Sequence, residues 1–135
     1  MLILDTNTVS YYLRGDTAVV NKLRAIAPSD VSIPAIVEYE LRYGFERLPE
    51  QVRTRGMARL TDVLQALQVL PFDSDCAQQA ARIRAALEAD GSPIGPHDIL
   101  IAATALRYGG TLVTRNTREF SRVAGLQWQN WHENA

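Results

Sequence analysis

The sequence predicts an α/β fold with a mostly parallel, short-stranded sheet, on three observations. Short strand-like runs recur at Leu2–Leu4, Val31–Ile33, Val69–Phe72 and Thr111–Thr114, and a last one lies around Leu126–Trp128. Helical stretches with one apolar stripe, or rich in alanine, separate most of them. Gly and Pro stand at the boundaries, where they end helices and strands. Strands joined through helices have room for crossover connections, and crossovers make neighbouring strands parallel.

Taken in order, Leu2-Ile3-Leu4 is an apolar strand that opens into the polar triplet Asp5-Thr6-Asn7. Val9 to Ile26 reads as a helical hairpin broken at Gly15-Asp16, with Asp16 or Thr17 capping its second half. Val31-Ser32-Ile33 alternates, and Pro34 closes it. From Ala35 to Arg47 the residues Ile36, Val37, Leu41 and Phe45 recur at helical spacing until Pro49. Gln51 to Gln68 is a second amphipathic helix. After Val69–Phe72, Asp73 or Ser74 caps an alanine-rich helix from Asp75 to about Ala89, ended by Gly91. Pro96 to Tyr108 is a helix with proline in its permitted first turn and Gly109-Gly110 at its stop. A single turn near Thr117–Phe120 precedes the last strand.

The 135 residues suffice for one domain spanning 1–135, and 47% hydrophobic content supplies its core. No long apolar segment or basic leader stands at the start, so the expected location is the cytoplasm, without a membrane span. The single cysteine, Cys76, reads as a small buried side chain. Fourteen basic residues against fifteen acidic ones exclude a globally basic nucleic-acid binder. Yet Lys22 is the only lysine, and the arginines gather at Arg42 to Arg59 and at Arg115, Arg118 and Arg122. Guanidinium forks suit phosphate oxygens, although solvated helix faces explain the same residues.

The chemistry sits in the acids. Asp5 and the segment Thr114-Arg115-Asn116 both follow strands, where open α/β sheets collect ligands. Alone, Asp5 reads equally as a helix cap. Glu40 shares the stripe of Ile36, Val37 and Gly44, so its carboxylate heads for the interior and needs a metal, a hydrogen bond or an arginine there. Glu38 lies off that stripe, four residues before Arg42, in the order that favours a surface pair. Asp98 falls on the face of Ile101, Ala102 and Ala105. Small residues let that helix approach the sheet and carry Asp98 toward the first strand, while the helix dipole is the other explanation. Asn116 is either an oxygen ligand or, with Glu119, a capping box. His97 reads as a solvated helix-start residue with a base role as the alternative, and His132 is a weaker candidate. Trp128, Trp131, Tyr11, Tyr12, Tyr39 and Tyr43 are packing residues first and base-stacking candidates second. Carboxylates without a His or Cys cluster suit Mg²⁺ or Mn²⁺ rather than zinc, and such a site activates water against a phosphodiester.

Four ordered blocks resemble the PIN-domain ribonucleases, specifically the VapC-type toxins of toxin–antitoxin pairs. They are Leu2-Ile3-Leu4 before Asp5-Thr6-Asn7, Glu40-Leu41-Arg42-Tyr43-Gly44, Ile94-Gly95-Pro96-His97-Asp98 with Ile101-Ala102-Ala103, and Leu112 through Phe120. The resemblance implies a three-layer α/β/α fold and Mg²⁺ held by Asp5, Glu40 and Asp98. It also implies RNA as substrate, a homodimer, and a small antitoxin whose tail fills the cleft. Many relatives carry a fourth acid where this chain has Asn116, and Glu119 is a possible substitute. Gly44 reads as a point of close backbone approach. Two other readings compete. Aspartate-nucleophile phosphotransferases also begin with a strand ending in Asp, but they want an acid at Asn7 and a later lysine. A non-catalytic PIN-like module could instead act in a DNA-binding toxin–antitoxin complex.

Overall fold

In the computed structural model, which describes residues 1–132, five short parallel strands form one sheet. They are β1 (Leu2–Leu4), β2 (Val31–Pro34), β3 (Gln68–Leu70), β4 (Thr111–Val113) and β5 (Trp128–Gln129), in the order β3-β2-β1-β4-β5. The last three residues of the expected domain lie outside the described residues. β1 is central: Leu2 is opposite Val31 on one side and Thr111 on the other. Its Ile3 and Leu4, with Val31, Ile33, Leu112 and Val113, are almost fully buried, as strands covered on both faces require.

The helices are α1 (Thr6–Leu13), α2 (Thr17–Arg24), α3 (Ala35–Glu46), α4 (Glu50–Ala66), α5 (Ser74–Ala89), α6 (Pro96–Tyr108) and the single turn α7 (Thr117–Phe120). The chain steps outward from β1 to β2 and β3, then returns across to β4 and β5. Right-handed crossovers therefore set the first four helices on one face and the rest on the other. Most helix contacts fall within each group, with α1 touching α2 and α3, α3 touching α4 and α5 lying along α6, while α3 also meets α6. The reversal of direction falls between β1 and β4, so the crevice of the sheet opens where those two strands end.

Local chemistry fixes the boundaries. Asp16 caps α2 by accepting from Val19 N at 3.2 Å, and Asp73 caps α5 by accepting from Cys76 N at 2.9 Å. Gly109 ends α6 at φ +67°, a left-handed position that glycine takes without penalty. Cys76 is buried, as expected, its Sγ against the Pro71 carbonyl.

Several expected boundaries move. α1 begins at Thr6, not Val9, because Asp5 supplies the cap. Gln68 belongs to β3, since Ser32 pairs with it, rather than to the preceding helix. β5 is Trp128–Gln129 instead of Leu126–Trp128, because Leu112 and Val113 align with those two residues. Gly44 marks no close approach, since a Cβ there meets nothing within 4 Å. The tight contacts are elsewhere: a Cβ on Gly56 would lie 2.2 Å from the Phe45 ring, and one on Gly110 would lie 2.5 Å from Ile3 Cδ1. Gly110→Ala is therefore expected to destabilise the fold by roughly 1–3 kcal/mol through overpacking of the central strand. Gly44→Ala is expected to be neutral or stabilising by up to about 1 kcal/mol. Urea midpoints of the two variants check both.

Candidate active site at the ends of β1 and β4

The carboxylate of Asp5 lies at the carboxyl end of the central strand and is only 4% exposed. It is cap and site residue at once. Its Oδ1 accepts from Thr8 N at 2.8 Å, and the Thr114 side chain adds a hydrogen bond. The corner is tied to β4 as well, through Asp5 N to the Val113 carbonyl at 3.2 Å and Thr8 Oγ1 to the same oxygen at 3.0 Å. Burial pushes the Asp5 carboxyl above its ordinary value, Glu40 adds to the push, and the threonine hydrogen bonds oppose it.

Glu40 reaches this corner from the middle of α3, at the edge of the buried face rather than inside it. Its Oε1 accepts from Thr6 Oγ1 at 2.6 Å, and its Oε2 lies 3.1 Å from His97 Nδ1. Thus no arginine neutralises Glu40, and His97 is exposed, as read from its helix-start position, while also touching Glu40. Tyr39 meets His97 edge-on, with centroids 5.7 Å apart. Glu38 points away and binds Arg42 at 2.7 Å, as its helical phase predicts.

Asp98 enters from the first turn of α6. Ala102, Ala103 and Ala105 behind it are completely buried, so the helix lies close and its first turn faces the ends of β1 and β4. Its carboxyl hydrogen-bonds that of Glu119 from α7, and it is pushed up to about 7 by burial, by that bond, and by the charges of Glu119, Glu40 and Asp5. Glu119 is held below its ordinary value by its bonds to Asp98 and to Asn116, whose Nδ2 donates to it at 2.9 Å. Asn116 makes no side-chain cap. It orients Glu119, while its backbone N–H donates to Thr114 Oγ1 at 3.0 Å.

The structure thus brings Asp5, Glu40, Asp98 and Asn116 to one place and adds Glu119 and His97 to them. Of the aromatic candidates, Trp131 is buried whereas Tyr39 and Tyr43 are exposed. His132 lies elsewhere, 3.2 Å from Asp16 on the turn between α1 and α2. Beside Glu40 a cleft of about 530 Å³ opens between α1, α3 and α4, lined among others by Ser10, Leu41 and Phe45 and rimmed by Arg14, Arg47 and Arg59. Arg59 is anchored there by donating to the Leu13 carbonyl.

The model of the PIN domain matches residues 2–126. The chain belongs to the PIN-domain family. Within it the chain is VapC-like: it is 34% identical to the tRNA(fMet)-specific endonuclease VapC of Shigella flexneri, over 96% of each protein. It is 32% identical to ribonuclease VapC2 of Rickettsia felis over the same shares. Among solved structures, the VapBC2 complex of Rickettsia felis bound to a promoter DNA fragment matches with a TM-score of 0.89 at 31% identity, covering 96% of this chain and 98% of that one. FitAcB from Neisseria gonorrhoeae matches with a TM-score of 0.90 at 34% identity, over 98% of this chain and all of the other. The five-stranded parallel sheet flanked by helices is the PIN architecture that the four sequence blocks imply.

Proton linkage gives this site a measurable signature. The folded chain holds a proton on Asp98 from its ordinary 3.8 up to about 7, so stability falls as pH rises through that window. Glu119 acts oppositely, but only below its ordinary value of 4.5. Asp98→Asn removes the penalty and keeps a donor toward Glu119. In metal-free buffer the variant is expected to gain stability over the unsubstituted chain between about pH 5 and pH 8, read from urea midpoints at each pH.

Proposed function

We propose that the chain is a divalent-metal-dependent endoribonuclease, the toxin of a toxin–antitoxin pair. The observation that carries this reading is the meeting of four carboxylates, Asp5, Glu40, Asp98 and Glu119, around the ends of β1 and β4, with a proton retained on Asp98. Among the described residues no arginine forms an ion pair with any of the four, and only the charge of Arg122 bears on one of them, Glu119. The full-length likeness to proteins named as VapC ribonucleases supports the same reading.

The donor set suits a hard cation such as Mg²⁺ or Mn²⁺. Among the described residues no three acidic, histidine or cysteine side chains already surround one point. Each carboxylate is instead engaged by Thr6, Thr8, Thr114, Asn116 or the shared proton. A cation relieves the same repulsion that the proton on Asp98 relieves, so metal and proton compete for this site. Asp5, Glu40 and Asp98 would hold the ion, with Glu119 as the fourth acid and Asn116 setting its orientation. When bound, the metal supplies a Lewis acid and an acidified water. Thr6 and His97 position Glu40, and the threonines position Asp5.

An antitoxin is part of this reading. The solved relatives are VapBC and FitAcB assemblies, and the cleft beside Glu40 has an apolar floor and cationic rim suited to a protein segment. A second copy of the chain is also proposed. The exposed Tyr39 and Tyr43 of α3 and an apolar groove of about 520 Å³ between α5 and α6 supply surface for it. The site of action is the cytoplasm, in keeping with the absence, among the described residues, of any helix long and apolar enough to cross a membrane.

The free chain is expected to cleave RNA with Mg²⁺ or Mn²⁺ and to stop with EDTA. Asp98→Asn is expected to slow cleavage by about 100-fold or more, and Glu119→Gln to raise the metal concentration needed for half-maximal cleavage. Gel analysis of cellular RNA checks each. Undiminished turnover in EDTA or in Asp98→Asn would sink the metal-nuclease reading. Strong antitoxin binding with no RNA cleavage by the free chain would favour the non-catalytic module.

A further inference from the structure

An acidic centre repels a polyanion, so a nuclease of this kind must hold its substrate from outside the carboxylate cluster. One face of α1 leads away from that cluster. Asn7, Ser10, Tyr11 and Arg14 stand at positions i, i+3, i+4 and i+7, and therefore share a face that starts beside Asp5 and runs for roughly 10 Å. At its far end the Arg14 guanidinium lies over the Tyr11 ring, 5.2 Å from its centroid. Arg115, arriving from the end of β4, lies over the same ring at 5.7 Å.

Both arginines are exposed, and neither forms an ion pair among the described residues. Asp16, on the turn that follows Arg14, does not quench them. Its Oδ1 accepts from Val19 N and its Oδ2 lies 3.2 Å from His132 Nε2. The ring itself is fixed, because His132 meets it edge-on with centroids 4.9 Å apart. The result is a tyrosine post with two guanidinium groups lying over it, both on exposed residues. Stacking restricts the forks without using their N–H groups, which lowers the entropy cost of gripping a phosphate.

We infer that Arg14 and Arg115, braced on Tyr11, form a grip for RNA backbone phosphates flanking the cleavage centre. The inference rests on the ribonuclease reading for its ligand. An acidic protein segment offers the same charge. RNA is favoured because Arg115 is joined through Thr114 to the Asp5 carboxylate, so the grip is continuous with the place where the phosphodiester is cut. In this role the arginines are positioning residues.

The test is fluorescence anisotropy of a short labelled oligouridylate with the full chain in EDTA, where cleavage is blocked. Arg14→Ala and Arg115→Ala are each expected to weaken binding on the order of tenfold. Each is also expected to flatten the slope of log Kd against log salt by about 0.7, the increment for one phosphate contact on a single strand. Arg→Lys at either position keeps the salt slope but not the full affinity. Arg82→Ala, an equal loss of charge on α5, leaves both unchanged. Tyr11→Ala weakens binding as the double arginine variant does, whereas Tyr11→Phe keeps it; thermal midpoints exclude unfolding as the cause.

Affinity and slope in the arginine variants equal to those of Arg82→Ala overturn the grip. So does loss of antitoxin binding alone with RNA binding intact, which assigns the arginines to the protein partner. Cleavage by the wild type with unaltered RNA binding by the variants removes the grip and leaves the nuclease standing. Weakened binding in a chain that never cleaves leaves the grip and removes the nuclease.

Discussion

A carboxylate buried at the end of the central strand is the constraint around which the molecule is arranged. An unpaired charge in such a place costs several kcal/mol. Asp5 is kept there by the Thr8 backbone N–H and by the Thr114 hydroxyl, from two of the few polar residues that are buried at all. Those same residues fasten the start of α1 to both β1 and β4. Solving the problem of Asp5 therefore also sets the direction of α1, and with it the position of Thr6 beside Glu40. Local cap, strand pairing and site are one piece of chemistry.

Adding further acids to that corner works against stability, and the structure records how the conflict is divided. Asp98 and Glu119 share a proton instead of both ionising, and Asn116 supports the member that stays charged. A pair of carboxyls pushed in opposite directions is a common sign of a working site. The small side chains of α6 matter for the same reason. Ala102, Ala103 and Ala105 bury no polar atoms and leave no bulk between helix and sheet, so Asp98 comes close enough for its neighbours' charges to act on it.

How much of this was legible in the sequence depended on whether the signal was local. Helical phase separated Glu38 from Glu40, and the structure keeps them apart, one on Arg42 and one on Thr6 and His97. Apolar runs and punctuation located all five strands, but β5 was set two residues early because its register is dictated by β4, far away in the chain. Gly44 departs from expectation for a similar reason: a glycine in a helix says that something is unusual nearby, and the tight contact is Gly56 against Phe45 across two helices. Asn116 and Glu119 match a capping box in spacing, yet their side chains bond to each other rather than to the backbone. The pull of Asp98 on Glu119 and the contact of His97 with Glu40 depend on α6 meeting α7 and α3 at one crevice, which no spacing within any of these segments encodes.

Charge shows the same division between composition and placement. A net charge of −1 hides two opposite fields, acidic at the strand ends and arginine-rich around them. An arginine inside the cluster would pair with a carboxylate and abolish the repulsion between the acids. Held on the rim, over Tyr11 and Tyr43 or on the Leu13 carbonyl, arginines leave that repulsion intact. Aromatic rings and backbone carbonyls suit this purpose because they hold a guanidinium in place without neutralising it. The separation of acids from arginines thus follows from the demands of the site, and an average over the chain cancels it.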